Sequence, residues 1–158
     1  KLNGISVGIF SAETGARQWM QADKQESYLI WKIGKKKMDE LLLIRNGEMV
    51  TYFSFHRRGE KSKMMWQFGD GFTANSIIQD ILNVQSEKST KFSSVEQVFI
   101  YTSDGNIKEI KFFHQLNLEN LTLLNPLMVL ESTEDEKVHK YNTLPLAETG
   151  NAFRGVDV

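Results

Sequence analysis

Histidine is the residue type in this chain best suited to proton transfer or metal binding, and there are three: His56, His114 and His139. No two of them stand at i, i+2 or i, i+4, the spacings by which one strand or helix presents two imidazoles to one ion, and no HExxH occurs. The chain has no cysteine, which excludes disulfides, thiolate zinc sites, iron–sulfur clusters and cysteine nucleophiles. No serine sits in a GxSxG elbow. Gly8–Gly15 (GIFSAETG) carries two glycines and two hydroxyls but lacks the lysine and spacing of a phosphate loop, and reads as a turn. Trp66–Phe72 (WQFGDGF) holds a Gly-Asp-Gly that reads as the end of a strand before a helix. Acidic residues are plentiful, but no pair is fixed by spacing as an acid and a base. The sequence therefore assigns no catalytic residue, no cofactor and no metal ligand.

The densest collection of interacting side chains is Ser54–Phe72, SFHRRGEKSKMMWQFGDGF. Arg57, Arg58, Glu60 and Lys61 fall where a hairpin reverses, a place where solvated charge is the default. In Met49–His56 the alternation puts Met49, Thr51, Phe53 and Phe55 on one face and Val50, Tyr52, Ser54 and His56 on the other. If the first set is the core face, Tyr52 and His56 lie outside it, beside the basic tip. An exposed aromatic next to arginine is a common binding hot spot. Tyr52, His56, Arg57, Arg58 and Lys61 are accordingly the candidate partner-contact residues, and the partner they suit is a protein with an acidic surface. Aromatics beside basic groups also suit single-stranded nucleic acid. The chain has no long basic stripe and a formal net charge of −1, which argues against that reading.

The elements that must position these residues form a meander. Ser27–Gly34 and Asp39–Ile44 flank the polar tip Lys35–Lys37. Asn46-Gly47 then supplies the pair that best tolerates positive φ at both centres of a type I′ turn. Met49–His56, the tip Arg57–Ser62 and Lys63–Gly69 complete four strands. A helix follows, capped by Thr73, with Ala74, Ile77, Ile78, Ile81 and Leu82 on one stripe and Asn75, Gln79 and Asp80 on the other side. Ser86–Ser94 is a polar connector. Glu96–Thr102 and Asn106–His114 flank Ser103–Gly105 as a second hairpin, Leu118–Asn125 reads as a short helix, and Leu127–Ser132 as a last strand. Ile5–Phe10 reads as a strand, while Ala16–Gln25 suits either a helix or a strand.

The chain has 158 residues, 41% hydrophobic and 25% charged, an ordinary globular composition of a length suited to one domain. The expected domain covers residues 1–146, with 147–158 as a tail. The expected fold is α+β: a curved, mainly antiparallel sheet of about six to eight strands, with one main helix packed on a face and a short second helix. No run approaches the ~20 apolar residues of a membrane span. The first residue is Lys1 rather than methionine, which leaves open a trimmed chain and leans toward an exported protein, periplasmic or secreted, after signal removal. The functional expectation is a non-enzymatic protein-binding domain, such as a small antagonist or immunity-type protein that neutralises a partner. The alternatives are a small-ligand carrier with an apolar pocket inside the curved sheet, and a hydrolase or nuclease that uses His56 or His114.

Overall fold

The computed structural model describes residues 7–58, 62–102 and 118–124. Within them a six-stranded sheet runs through the centre, with a helix on each face. The strands are β1 (Ser27–Ile33), β2 (Met38–Arg45), β3 (Glu48–His56), β4 (Lys63–Gly69), β5 (Gln97–Thr102) and β6 (Leu121–Leu123); the helices are α1 (Val7–Met20) and α2 (Gly71–Gln85). The order across the sheet is β4-β3-β2-β1-β5-β6. β1 to β4 form the expected antiparallel meander, and β5 and β6 run parallel to β1.

The β2–β3 turn follows from two residues. Asn46 (φ 51°) and Gly47 (φ 78°) both take the left-handed conformation that a type I′ turn requires, and their spacing sets the register Arg45 opposite Glu48. The β1–β2 connection is tighter than a plain polar tip. Gly34 is followed by a single 3-10 turn, Lys35–Lys37, in which Lys36 and Lys37 both have positive φ. A side chain at Gly34 would place its Cβ 1.7 Å from the Met38 carbonyl oxygen, so only glycine lets the chain double back here.

Both faces of the central strands are buried. On one face Leu29, Trp31, Ile33, Leu41, Leu43, Phe53 and Phe55 pack against Ala74, Ile77, Ile78, Ile81 and Val84 of α2. On the other, Tyr28, Ile30, Leu42, Ile44, Tyr52, Phe99 and Tyr101 pack against Ile9, Ala12 and Ala16 of α1. The near-continuous apolar runs YLIW and LLLI are the sequence signature of strands buried on both sides. This corrects the expectation of a single covered face.

α1 also corrects two local readings. Val7–Phe10, expected as a strand, and Gly8–Gly15, expected as a turn, are helical, and the helix continues to Met20. Its Ser11, Ala12, Gly15 and Ala16 are buried, so small side chains let its axis approach the sheet closely. That packing outweighs the poor helix propensity of the two glycines. The Thr14 hydroxyl, buried in the helix, donates back to the Phe10 carbonyl at 3.1 Å.

α2 begins three residues earlier than the apolar stripe suggests. Asp70, not Thr73, is its N-cap: the Asp70 carboxylate accepts from the backbone N–H groups of Phe72 (3.1 Å) and Thr73 (3.3 Å) and from the Thr73 hydroxyl. These bonds hold the Asp70 carboxyl below the usual carboxylate range, the Thr73 hydroxyl contributing most. Asp80, expected on the solvent side, is buried and accepts from the Ser94 N–H at 2.7 Å. It thereby anchors the connector, whose Phe92 reaches the core and meets Trp31 edge to face at 5.9 Å.

Leu121–Leu123 is a strand, not part of a helix. Its residues complete a ladder along Val98–Ile100, and Leu121 and Leu123 pack against the α2-side core. Asn120 fixes the approach: its side chain donates to the carbonyls of Phe92 and Val95 and accepts from the Phe92 N–H, at 2.9 to 3.0 Å. β5 therefore has parallel neighbours on both sides along Val98–Ile100. Asn106–His114, expected as its hairpin partner, lies outside the described residues, as do Leu127–Ser132 and the expected tail at 147–158.

Ile81 is fully buried between α2 and the sheet. Ile81→Ala is expected to cost about 2–5 kcal/mol in urea-induced unfolding, the range for a buried aliphatic truncation. A loss below about 0.5 kcal/mol would mean that this helix face is not core.

Candidate partner-contact surface

The β3–β4 hairpin holds the candidate residues, and the fold separates them. Arg57, expected in the solvated tip, is 7% exposed. Its guanidinium donates to both carboxylate oxygens of Asp39, Nε to Oδ2 at 2.5 Å and Nη2 to Oδ1 at 3.4 Å. Asp39 itself is fully buried and also accepts from Trp31 Nε1 (2.9 Å) and the Gly34 N–H (3.2 Å). Burial pushes the Asp39 carboxyl above its ordinary range, and the charge and hydrogen bonds of Arg57 oppose that rise, aided by Trp31 and Gly34. The backbone of Arg57 joins the same arrangement, its N–H donating to the Lys37 carbonyl at 2.9 Å. Arg57 is thus an internal cation, and its expected position on an exposed contact surface is corrected.

Tyr52 is also inside, 4% exposed, because the face opposite Phe53 and Phe55 is covered by α1. Phe10 of α1 meets its ring edge to face at 5.6 Å, and its hydroxyl donates to Glu40 at 2.8 Å. Glu40 in turn pairs with Lys32 at 2.7 Å. His56 is half-buried at the end of β3. Arg58 is exposed, donates from Nε to His56 Nε2 at 3.3 Å, and receives the Ser62 hydroxyl oxygen as acceptor for its backbone N–H at 3.0 Å. His56 and Arg58 are therefore the two candidates that the structure brings together at the surface. Lys61 lies outside the described residues.

The surface that the sequence did not single out is β4. Trp66 is 44% exposed, Phe68 65% and Met65 52%. Trp66 is registered opposite Ser54, and Phe68 opposite Tyr52, so both point to the α1 side of the sheet, past the limit of the helix. Trp66 contacts the Tyr52 ring edge to face at 4.6 Å. A row of aromatics, Phe10, Tyr52 and Trp66, thus leads from beneath α1 to the open margin. The sequence held a signal for this: KMMWQFG carries large apolar residues on both faces and no charge after Lys63. Two-sided apolarity marks either a central strand or an uncovered one, and only the strand order decides which.

Among the described residues no group of three or more histidine, aspartate or glutamate side chains is placed to hold a metal ion. No helix among them is long and apolar enough to cross a membrane. No family model matches the chain, and no curated protein is significantly similar to it.

The two adjacent arginines should differ sharply. Arg57→Met leaves a buried carboxylate without its cation and is expected to cost about 3–5 kcal/mol at pH ~7. Its absence raises the Asp39 pKa further. The folded state then holds the Asp39 proton more tightly than the unfolded chain does, so the deficit shrinks as the pH falls toward the unfolded value of about 3.9. Urea melts near pH 7 and near pH 5 check this sign; a deficit independent of pH would show that Asp39 is not the group left uncompensated. Arg58→Glu should stay within about 0.5 kcal/mol of the parent chain, because its side chain is solvated.

Proposed function

We propose that this chain is a non-enzymatic protein-binding domain, and that the bound partner meets β4 and the adjoining hairpin tip. One observation carries the reading: Trp66 and Phe68 stand exposed, side by side on one face of an edge strand that carries no charge after Lys63, with the Trp66 ring braced on Tyr52. Aromatic residues held rigid from below and open above are the usual anchors of protein interfaces, since they bury large area at little cost in conformational entropy. Arg58 and Lys63, both exposed, flank the aromatics at the hairpin end. They suit a partner that sets acidic residues beside an apolar segment, and they would make its association salt-sensitive. In this reading the domain neutralises its partner, as an antagonist or immunity-type protein does.

The test is site-specific photo-crosslinking in the native host. A benzophenone amino acid at position 68 should give a discrete adduct with another protein, and Arg58→Glu should reduce its yield several-fold at unchanged thermal stability. The same probe at Gln79, on the exposed side of α2, should give none. Absence of any adduct at position 68, or an identical adduct from position 79, would sink the reading.

A further inference from the structure

The partner reading leaves open what the outer edge of β4 binds when no other protein is present. Among the described residues the two margins of the sheet are unlike. β6 is three residues long, too short to template much pairing, whereas β4 is seven. Edge strands are normally blunted by charge, proline or shortness, because their free N–H and C=O groups will pair with any strand offered. β4 has one lysine at its start and nothing charged or proline from Met64 to Gly69. It is blunted by a bulge at Met65, which has no partner on β3, and by the Gln67 side-chain amide, which donates to the Gly69 carbonyl at 2.6 Å. Among the described residues no strand covers its outer side.

The backbone shows which groups face outward. Asp70 N–H donates to the Val50 carbonyl at 3.0 Å, and the Phe68 carbonyl accepts from the Thr51 hydroxyl at 3.2 Å, so residues 68 and 70 direct their polar groups at β3. By the alternation of an antiparallel ladder, Gln67 directs its N–H and C=O away from the sheet.

We infer that two copies of this chain pair antiparallel along β4 about a two-fold axis at Gln67, joining their sheets edge to edge. In that register Gln67 of each copy exchanges both backbone hydrogen bonds with Gln67 of the other. Trp66 of one copy lies opposite Phe68 of the second, and the reverse, so both exposed aromatics of β4 gain a cross-strand partner on one face. The ends match in charge. Lys63 of one copy comes within a residue of Asp70 of the other, and Met64–Gly69 between them carries no charge. This self-complementarity commits the edge to a second copy. The patch is small: two aromatics per copy, at most ~150–250 Å² each, fall short of the ~1,200 Å² of a standard interface, so the dimer is a weak one. The inference rests on the reading of β4 as a contact surface, but it names a different occupant.

Two measurements test it. Sedimentation velocity from about 10 μM to about 1 mM should show a monomer passing to a dimer, the range appropriate to a weak interface. Phe68→Lys should raise the dissociation constant at least ~10-fold, since it replaces an aromatic pair at two symmetric places. The absence of cysteine supplies the second readout. In a hydrogen-bonded antiparallel pair the opposed Cα atoms lie ~5.5 Å apart, within disulfide range. Gln67→Cys should therefore oxidise to a covalent dimer, whereas Gln79→Cys should not. A chain that stays monomeric throughout, a dimer indifferent to Phe68→Lys, or equal cross-linking from both cysteines would overturn the self-pairing. If the monomer nevertheless gives the position-68 adduct with another protein, the edge belongs to that protein, and only the self-pairing fails.

Discussion

Asp39 carries its carboxylate into the α2-side core with no solvent exposure, and three parts of the chain are bound to it. Trp31 reaches it from β1, Gly34 from the β1–β2 turn, and Arg57 from the end of β3. A charge in such a place is tolerated only if every lone pair facing the protein is met and a cation stands beside it. The demand is therefore geometric. It fixes the tight return at Gly34, where the backbone passes too close for any other residue. It also fixes the point at which β3 ends and turns inward. The start of the hairpin tip is thus set by the core and not by the tip itself.

That constraint lies at the centre of a sheet covered on both faces. α1 and α2 solve the same packing problem with different residues. α1 brings small side chains and lies close, so the large residues on its side come from the strands: Tyr28, Tyr52, Phe99 and Tyr101. α2 brings isoleucines and a valine, which interlock with Leu29, Leu41, Phe53 and Phe55. On the α1 side bulk from the strands faces small residues of the helix, and on the α2 side branched side chains of similar size interlock, so both layers fill space.

The cover stops short of β4. On the α1 side Tyr52 of β3 is buried, whereas Trp66 and Phe68 of β4 are exposed, though all three are large aromatics. The difference comes from position, since α1 packs over β1 and β2, and its Phe10 meets the Tyr52 ring on β3. Apolar surface left at the margin of an otherwise closed core retains its tendency to leave water. This connects the fold to a binding role: the same stacking that buries Tyr52 also holds Trp66 in place for a partner.

Local rules made part of this protein legible from its residues. The Asn46-Gly47 turn needs only the φ preferences of two residues, and the α2 stripe only a helical period, so both were readable, as was the antiparallel meander they organise. The class, an α+β fold built on a mainly antiparallel sheet, followed from them. What failed depended on neighbours far along the chain. The glycines and hydroxyls of α1 look like a turn until a sheet face lies beneath them. Leu121–Leu123 looks helical until β5 offers a ladder. Arg57 and Arg58 are adjacent and identical in type, and only the location of Asp39, eighteen residues before Arg57, makes one of them a core ion and the other a surface charge. Tyr52 and Phe68 likewise share a face and a chemistry. Strand order alone put one under a helix and the other at the edge, because burial belongs to the assembled layers and not to the residue.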